Sequence, residues 1–440
     1  MTGGSDDRTT RRRVLTPASR QRSPYLAALI VSSGNLLEMY DFTVYGYYAA
    51  AIGKAYFPAA SVYASTMATF AVFGAGFLMR PLGALVLGTV VDRYGRRLGL
   101  LITLGLMALG TLTIALTPSY LRIGLAAPLV VLLGRLIQGL SAGAELGGVS
   151  VYLAEIAPAG RRGFLVSWQS ASQQVAVMFA AALGVALGVL LSKPQMEAWG
   201  WRIPFLVGCA LIPLLLLMRR QLEETEAFLQ REEKHTAGRI LAELGRSGVT
   251  VLFGAMMVIL TTVAFYTITA YTPTFGSQVL HLSQQDAFVV TLCVGFSNFL
   301  ILPLSGALSD RIGRLPILLT AAVLALVGGY PLLRWLTAAP SFGRLLGVEL
   351  VLSLIYAAYN GAMVVYLAEV MPKSARTAGF SLAYSLAAGV FGGFTPFVAT
   401  GLIHATGDKA APGAWLALAA ALSLIGIAGL KLVERRAHPR

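Results

Sequence analysis

The chain is short of charge. Asp, Glu, Lys and Arg make up 12% of its 440 residues, about half the share found in soluble domains. The roughly three water-soluble domains that such a length would otherwise suggest cannot be surfaced with so few charged groups, which excludes a soluble enzyme and a disordered scaffold alike. Cysteine is nearly absent. Cys209 and Cys293 lie in separate apolar segments, so neither a disulfide framework nor a thiolate metal site is expected, and the redox compartment is left undefined. The four histidines, His235, His281, His404 and His438, are scattered, and no H-E-x-x-H, G-x-S-x-G or G-x-x-x-x-G-K-[ST] pattern occurs. That removes the metalloprotease, the serine-hydrolase elbow and the ATP-driven pump. The formal net charge of +14 does not indicate nucleic acid, because the basic residues sit in short clusters between apolar runs.

What the chain has is apolar sequence: 56% hydrophobic residues and a mean hydropathy of +0.72. Stretches of about 20 apolar residues are long enough to cross a bilayer as helices. They are expected near 25–51, 62–91, 98–117, 126–153, 164–191, 201–218, 248–275, 286–309, 315–335, 346–368, 377–403 and 412–432, giving an all-α membrane protein of twelve spans. Lys and Arg are retained on the cytoplasmic side. Alternate loops hold 25 basic residues against seven on the other side, which predicts cytoplasmic termini; the remaining two, Arg80 and Arg135, fall inside spans. The expected organisation is a basic tail at 1–23, a six-span half at 24–218, a mixed-charge linker at 219–247, a second six-span half at 248–434 and a short tail at 435–440. The tail has no apolar core and does not read as a signal peptide.

The two halves repeat each other. Gly88-Thr-Val-Val-Asp92-Arg93-Tyr-Gly95-Arg96 returns as Gly306-Ala-Leu-Ser-Asp310-Arg311-Ile-Gly313-Arg314, and Tyr152-Leu-Ala-Glu155 returns as Tyr366-Leu-Ala-Glu369 at nearly the same offset. Such pairs mark halves related by an axis along the membrane normal. The doubled G-x-x-x-D-R-x-G-R loop resembles that of the major facilitator superfamily. Gly34-Asn35-Leu-Leu-Glu38-Met-Tyr-Asp41-Phe42, Arg80-Pro-Leu-Gly83 and Trp168-Gln169-Ser-Ala-Ser-Gln173-Gln174 resemble its metabolite:proton symporters. Glu145-Leu-Gly-Gly-Val-Ser-Val-Tyr152, Glu224-Thr-Glu226 and Tyr271-Thr-Pro273-Thr are similar to the citrate and tricarballylate symporters of bacteria. The resemblance implies a major facilitator fold in a bacterial inner membrane, working as a monomer in the lipid bilayer by alternating access. It implies symport of a small tricarboxylate with protons, or with sodium, and no resident cofactor or metal. A betaine- or proline-type zwitterion is the alternative cargo.

A charge placed in hydrocarbon costs about 2.5–3.5 kcal/mol even on insertion scales, so intramembrane ionisable groups carry the functional information. Arg80 and Arg135 offer planar forks for carboxylates, with neutral donors from Asn35, Gln169, Gln173, Tyr266, Asn298, Tyr359 and Asn360, and further candidates in Thr269, Tyr356 and Tyr384. Asp41 first, then Glu38, with Glu145 in the fourth span, are the expected proton carriers. Applying the repeat offset to Arg135 lands on Glu349, a charge of opposite sign. An aspartate at a helix C-terminus is electrostatically awkward and calls for an arginine or a neighbouring helix N-terminus. Asp92, Arg93, Arg96 and Glu155, and their repeats Asp310, Arg311, Arg314 and Glu369, are therefore expected to form charge clusters, and the resemblance to the major facilitator superfamily implies that such clusters latch the cytoplasmic side.

Overall fold

In a computed structural model of the chain, the described residues are 35–84, 86–87, 96–143, 146–220, 245, 247–372 and 376–437. Among them every regular element is helical. Eight helices are individually long and apolar enough to cross a membrane, and Leu101–Leu116, Ala126–Ala142 and Gly200–Pro213 are shorter apolar helices at the places of spans 3, 4 and 6. Span 1 is described from Asn35, as Asn35–Tyr47 followed by Ala49–Tyr56. Serine side chains start several spans: Ser61, Ser283 and Ser341 accept from the backbone N–H of Ala64, Asp286 and Arg344, groups that a helix start otherwise leaves without partners.

The bundle reverses the polarity of a soluble domain. Leu78, Leu82, Leu109, Leu133, Leu304 and Val327 are exposed, while Glu38, Asp41, Arg80, Arg135, Gln169 and Asn298 are buried. Apolar side chains facing lipid gain nothing by moving inward, so association rests on close backbone approach and polar pairing. Spans 2 and 4 show this directly: a Cβ built on Gly139 would lie 1.7 Å from the Gly76 carbonyl oxygen.

Two spans depart from α geometry. Span 7 runs as Gly248–Tyr266, a π turn at Thr267–Tyr271, Thr272–Thr274, and a second π turn at Phe275–Val279. Pro273 has no N–H to donate and crowds the preceding turn, and the wider register accommodates it. Span 11 carries its π turn at Ala388–Gly392, where the Gly393 N–H reaches back to the Ala388 carbonyl at 2.7 Å. The end of the bundle that carries the repeated loops is the inner end, expected to be cytoplasmic.

The halves touch at both ends. At the inner end, span 5 meets span 8 so closely that a Cβ on Gly163 or Gly306 would lie 2.3 Å from the other residue's carbonyl oxygen. At the outer end Gly46 abuts Ala270, Tyr47 and Tyr48 pack on Phe288 with ring centroids 5.5 and 5.8 Å apart, and Tyr63 stacks on His404 at 3.8 Å.

Candidate functional site

A small cavity lies between the halves. Spans 1, 2 and 5 contribute Glu38, Met39, Arg80 and Gln173; spans 7, 10 and 11 contribute Thr262, Phe265, Tyr266, Tyr356, Tyr384 and Ala388. One side is thus charged and the other presents three phenols and a threonine.

Arg80 is 2% exposed and its Nη2 donates to Glu38 Oε1 at 2.9 Å. The guanidinium also lies 4.8 Å from the Phe42 ring centre and 4.4 Å from that of Phe77, a cation–π sandwich that compensates part of its lost hydration. Glu38 and Phe42 are four apart on one helix, so span 1 supplies both the carboxylate and one ring face. Small residues seat this group, since a Cβ on Gly143 would lie 2.0 Å from the Arg80 carbonyl oxygen.

Arg135 occupies a different place. It is fully buried, its Cζ lies 3.6 Å from the Tyr45 ring centre, and its Nη1 donates to Gln138 Oε1 at 2.6 Å. Gln138 Nε2 donates to Thr111 Oγ1 at 2.9 Å, and the Thr111 hydroxyl is bonded to Asp41 Oδ2. Two neutral side chains thereby bridge Asp41 to Arg135, inside the first half and behind the cavity wall. The charges of span 1 divide accordingly: Glu38 faces the cavity and Asp41 faces spans 3 and 6, where a Cβ on Gly208 would lie 3.0 Å from its Oδ1.

The remaining expected residues are distributed around this centre. Gln173 and Tyr266 line the cavity. Gln169 accepts from Ser170 at 3.0 Å; Asn298 joins Ser353 at 2.7 Å and Gln174 at 3.4 Å across helices; Tyr359 donates to the Met257 carbonyl at 2.7 Å. Asn360 stands one residue behind the wall, its Nδ2 donating to the Tyr356 hydroxyl at 3.2 Å. Glu145, Asp92 and Arg93 lie outside the described residues, as do the side chains of Asn35 and Arg96.

At the inner end Asp310 accepts from the backbone N–H of Gly163 and Phe164 at 2.8 and 3.0 Å, so the last turn of span 8 holds the first turn of span 5. Arg314 donates to Asp310 at 2.7 Å and to Glu369 at 3.2 Å. Arg311 and Glu155 are exposed. Asp310 thus answers the dipole at its own helix end with a helix N-terminus and an arginine.

Thr111 and Gln138 escaped the sequence reading. Gln138, three residues from Arg135 in an apolar span, carried a usable signal as an amide needing a partner; Thr111 carried none. Thr262 and Phe265 are likewise ordinary apolar-span residues until the bundle turns them inward.

A twelve-span bundle in two pseudo-symmetric halves around a charged enclosed centre defines a major facilitator transporter. The chain belongs to the sugar (and other) transporter family of that superfamily, whose model matches residues 27–248 and 244–434. It is 54% identical to the citrate-proton symporter of Salmonella typhi, over 94% of this chain and 96% of that one. It is 56% identical to the citrate-proton symporter of Klebsiella pneumoniae, over 91% of this chain and 90% of that one. Its fold matches the crystal structure of a D-xylose-proton symporter with a TM-score of 0.72 at 21% identity, covering 91% of this chain and 97% of that one.

Proposed function

We propose that the protein is a proton-coupled symporter of citrate or a close tricarboxylate. It works as a monomer in a bacterial inner membrane with both termini in the cytoplasm, and its halves rock about the central cavity. The observation that carries this reading is the Arg80–Glu38 pair, 2.9 Å apart in the cavity wall; the two citrate-proton symporters of similar sequence support it.

The mechanism follows from one guanidinium and two candidate anions. A carboxylate of the substrate competes with Glu38 for Arg80, and a bidentate fork favours the incoming planar carboxylate. Glu38, displaced in a poorly hydrated cavity, is costly as an anion and takes up a proton. Substrate charge and proton then enter together, and the three phenols of the second half receive the remaining substrate oxygens. Asp41 forms the second proton site: protonated, it rests on Thr111, and ionised, it gives Arg135 an anionic partner through the Gln138–Thr111 bridge. Neither step needs a cofactor or a bound metal. Proton coupling is favoured over sodium because Glu38 and Asp41 turn to different partners instead of converging on one cage of oxygen ligands.

Labelled citrate uptake into proteoliposomes, under an imposed inward proton or sodium gradient, tests the assignment. The expected result is accumulation with the proton gradient alone and its loss in Arg80→Ala. Uptake of betaine and not citrate, or drive by sodium alone, contradicts it.

A further inference from the structure

Glu349 lies two turns into span 10, 2% exposed and away from the central cavity. Its Oε1 is 3.0 Å from the Thr272 hydroxyl, and its Oε2 has no hydrogen-bond partner among the described residues. Thr272 sits between the two π turns of span 7, and the same hydroxyl is 3.1 Å from the Thr267 carbonyl oxygen. A hydroxyl has one proton to give. If it is given to the Thr267 carbonyl, the Glu349–Thr272 contact is a hydrogen bond only when the carboxyl supplies the proton. If it is given to Glu349 instead, the result is a buried carboxylate with, among the described residues, one donor, one bare oxygen and no cation, an arrangement that a membrane interior penalises heavily.

Among the described residues, none of the charged or titratable groups on the packed elements is bonded to Glu349. On span 7, Tyr266 faces the cavity and Tyr271 accepts from Thr400; on span 8, Asp286 lies in the first turn and Cys293 is half-buried. On span 9, Tyr330 and Arg334 both bind Asp408, and Arg344 of span 10 itself turns to the Trp335 carbonyl. Span 5 carries its charge, Arg162, at the inner end.

The segment held by Glu349 is also the one that seals the outer end. Tyr271 packs edge-on against Phe70 of span 2 at 6.0 Å, and Gln278 meets Thr66 at 3.4 Å. One turn inward of Glu349, Ser353 bonds Asn298, which bonds Gln174, a polar row that leads from span 5 across span 8 toward the same glutamate.

We propose that Glu349 is a third proton-binding site, occupied in this conformation, whose proton fastens span 7 to span 10 and keeps the outer end closed. Losing the proton reverses the Thr272 hydrogen bond at the expense of the Thr267 carbonyl, loosens the π segment and lets the outer part of span 7 leave the first half. The site is distinct from Glu38 and Asp41, and its operation does not require the substrate to be citrate.

The test uses the full-length protein in proteoliposomes with Cys209 and Cys293 replaced by serine and Gln278→Cys as reporter. Reaction with a membrane-impermeant maleimide is followed between about pH 5 and pH 9, the span over which buried carboxyls titrate, and normalised to a free peptide thiol. Normalised labelling should rise with pH by up to about tenfold per unit, the limit for one proton. Glu349→Gln, which mimics the neutral acid, should label slowly at every pH. Infrared difference spectra of the wild-type protein in H2O and D2O should show a protonated carboxyl band that Glu349→Gln removes. Should the Gln variant fail to fold, Glu349→Asp keeps the acid and should keep the rise at a displaced pH. A Gln variant that follows the wild-type labelling curve, or a wild-type spectrum lacking a band assignable to Glu349, overturns the proposal.

Discussion

Arg80 is held by three kinds of contact at once: a carboxylate at 2.9 Å, two aromatic faces within 5 Å, and the glycine-lined backbone of span 4. Each depends on a different property of the side chain, so lysine is a poor substitute. It keeps the charge but loses the planar fork and the ring stacking. Arg80→Lys should weaken citrate binding by roughly 10- to 150-fold, the ~1.5–3 kcal/mol of a charge-assisted hydrogen bond, as read by calorimetry on the purified protein. Arg80→Ala removes the arginine partner of a buried carboxylate, a change that in general destabilises by about 3–5 kcal/mol. Adding Glu38→Gln should recover most of the lost thermal stability without recovering citrate binding. If the double variant stays as unstable as the single one, the pair is not what holds this region together. The importance of Arg80 was legible in the sequence, since a lone arginine deep in an apolar span requires a reason. That Arg135 sits behind Tyr45 on a neutral bridge, away from the cavity, was not legible, because spacing along a helix fixes depth while the rotation of the helix decides which neighbour a side chain meets.

At the scale of elements, the spans were readable from hydropathy because lipid imposes length and apolar composition on every crossing segment. The expected and observed ends differ by a few residues for most spans. The π turns of spans 7 and 11 were hidden, although Pro273 and the Gly392–Gly393 pair marked where regular helix would be hard to continue. Close helix approach is the other element-scale feature. Gly139→Leu would place a side chain into the Gly76 backbone, and overpacking of this sort costs about 1–3 kcal/mol or more. A marked fall in melting temperature is expected, with citrate binding reduced because span 2 carries Arg80; an unchanged melting curve would show that spans 2 and 4 separate without penalty. At the inner end, Asp310→Ala removes the acceptor of two span 5 N–H groups and the partner of Arg314. It should slow turnover several-fold while leaving citrate affinity within about twofold, because the latch is remote from the cavity. Unchanged turnover with lost affinity would refute the latch.

For the whole molecule, coupling requires that substrate and proton be bound or released together, and in the proposed mechanism the link is one guanidinium, paired with Glu38 in the structure and claimed by the substrate on binding. The halves meet at both ends around that pair, so the proposed exchange takes place in an enclosed space where a carboxylate displaced from its arginine is poorly hydrated and its protonation is favoured. The direct measurement is proton uptake on citrate binding, followed with a pH indicator in weakly buffered detergent solution at an alkaline pH where free citrate is fully ionised. Citrate binding should draw protons from solution in the wild-type protein, and Glu38→Gln should still bind citrate with that uptake reduced by one proton per citrate. Citrate binding without proton uptake, or the same uptake in Glu38→Gln, would contradict it.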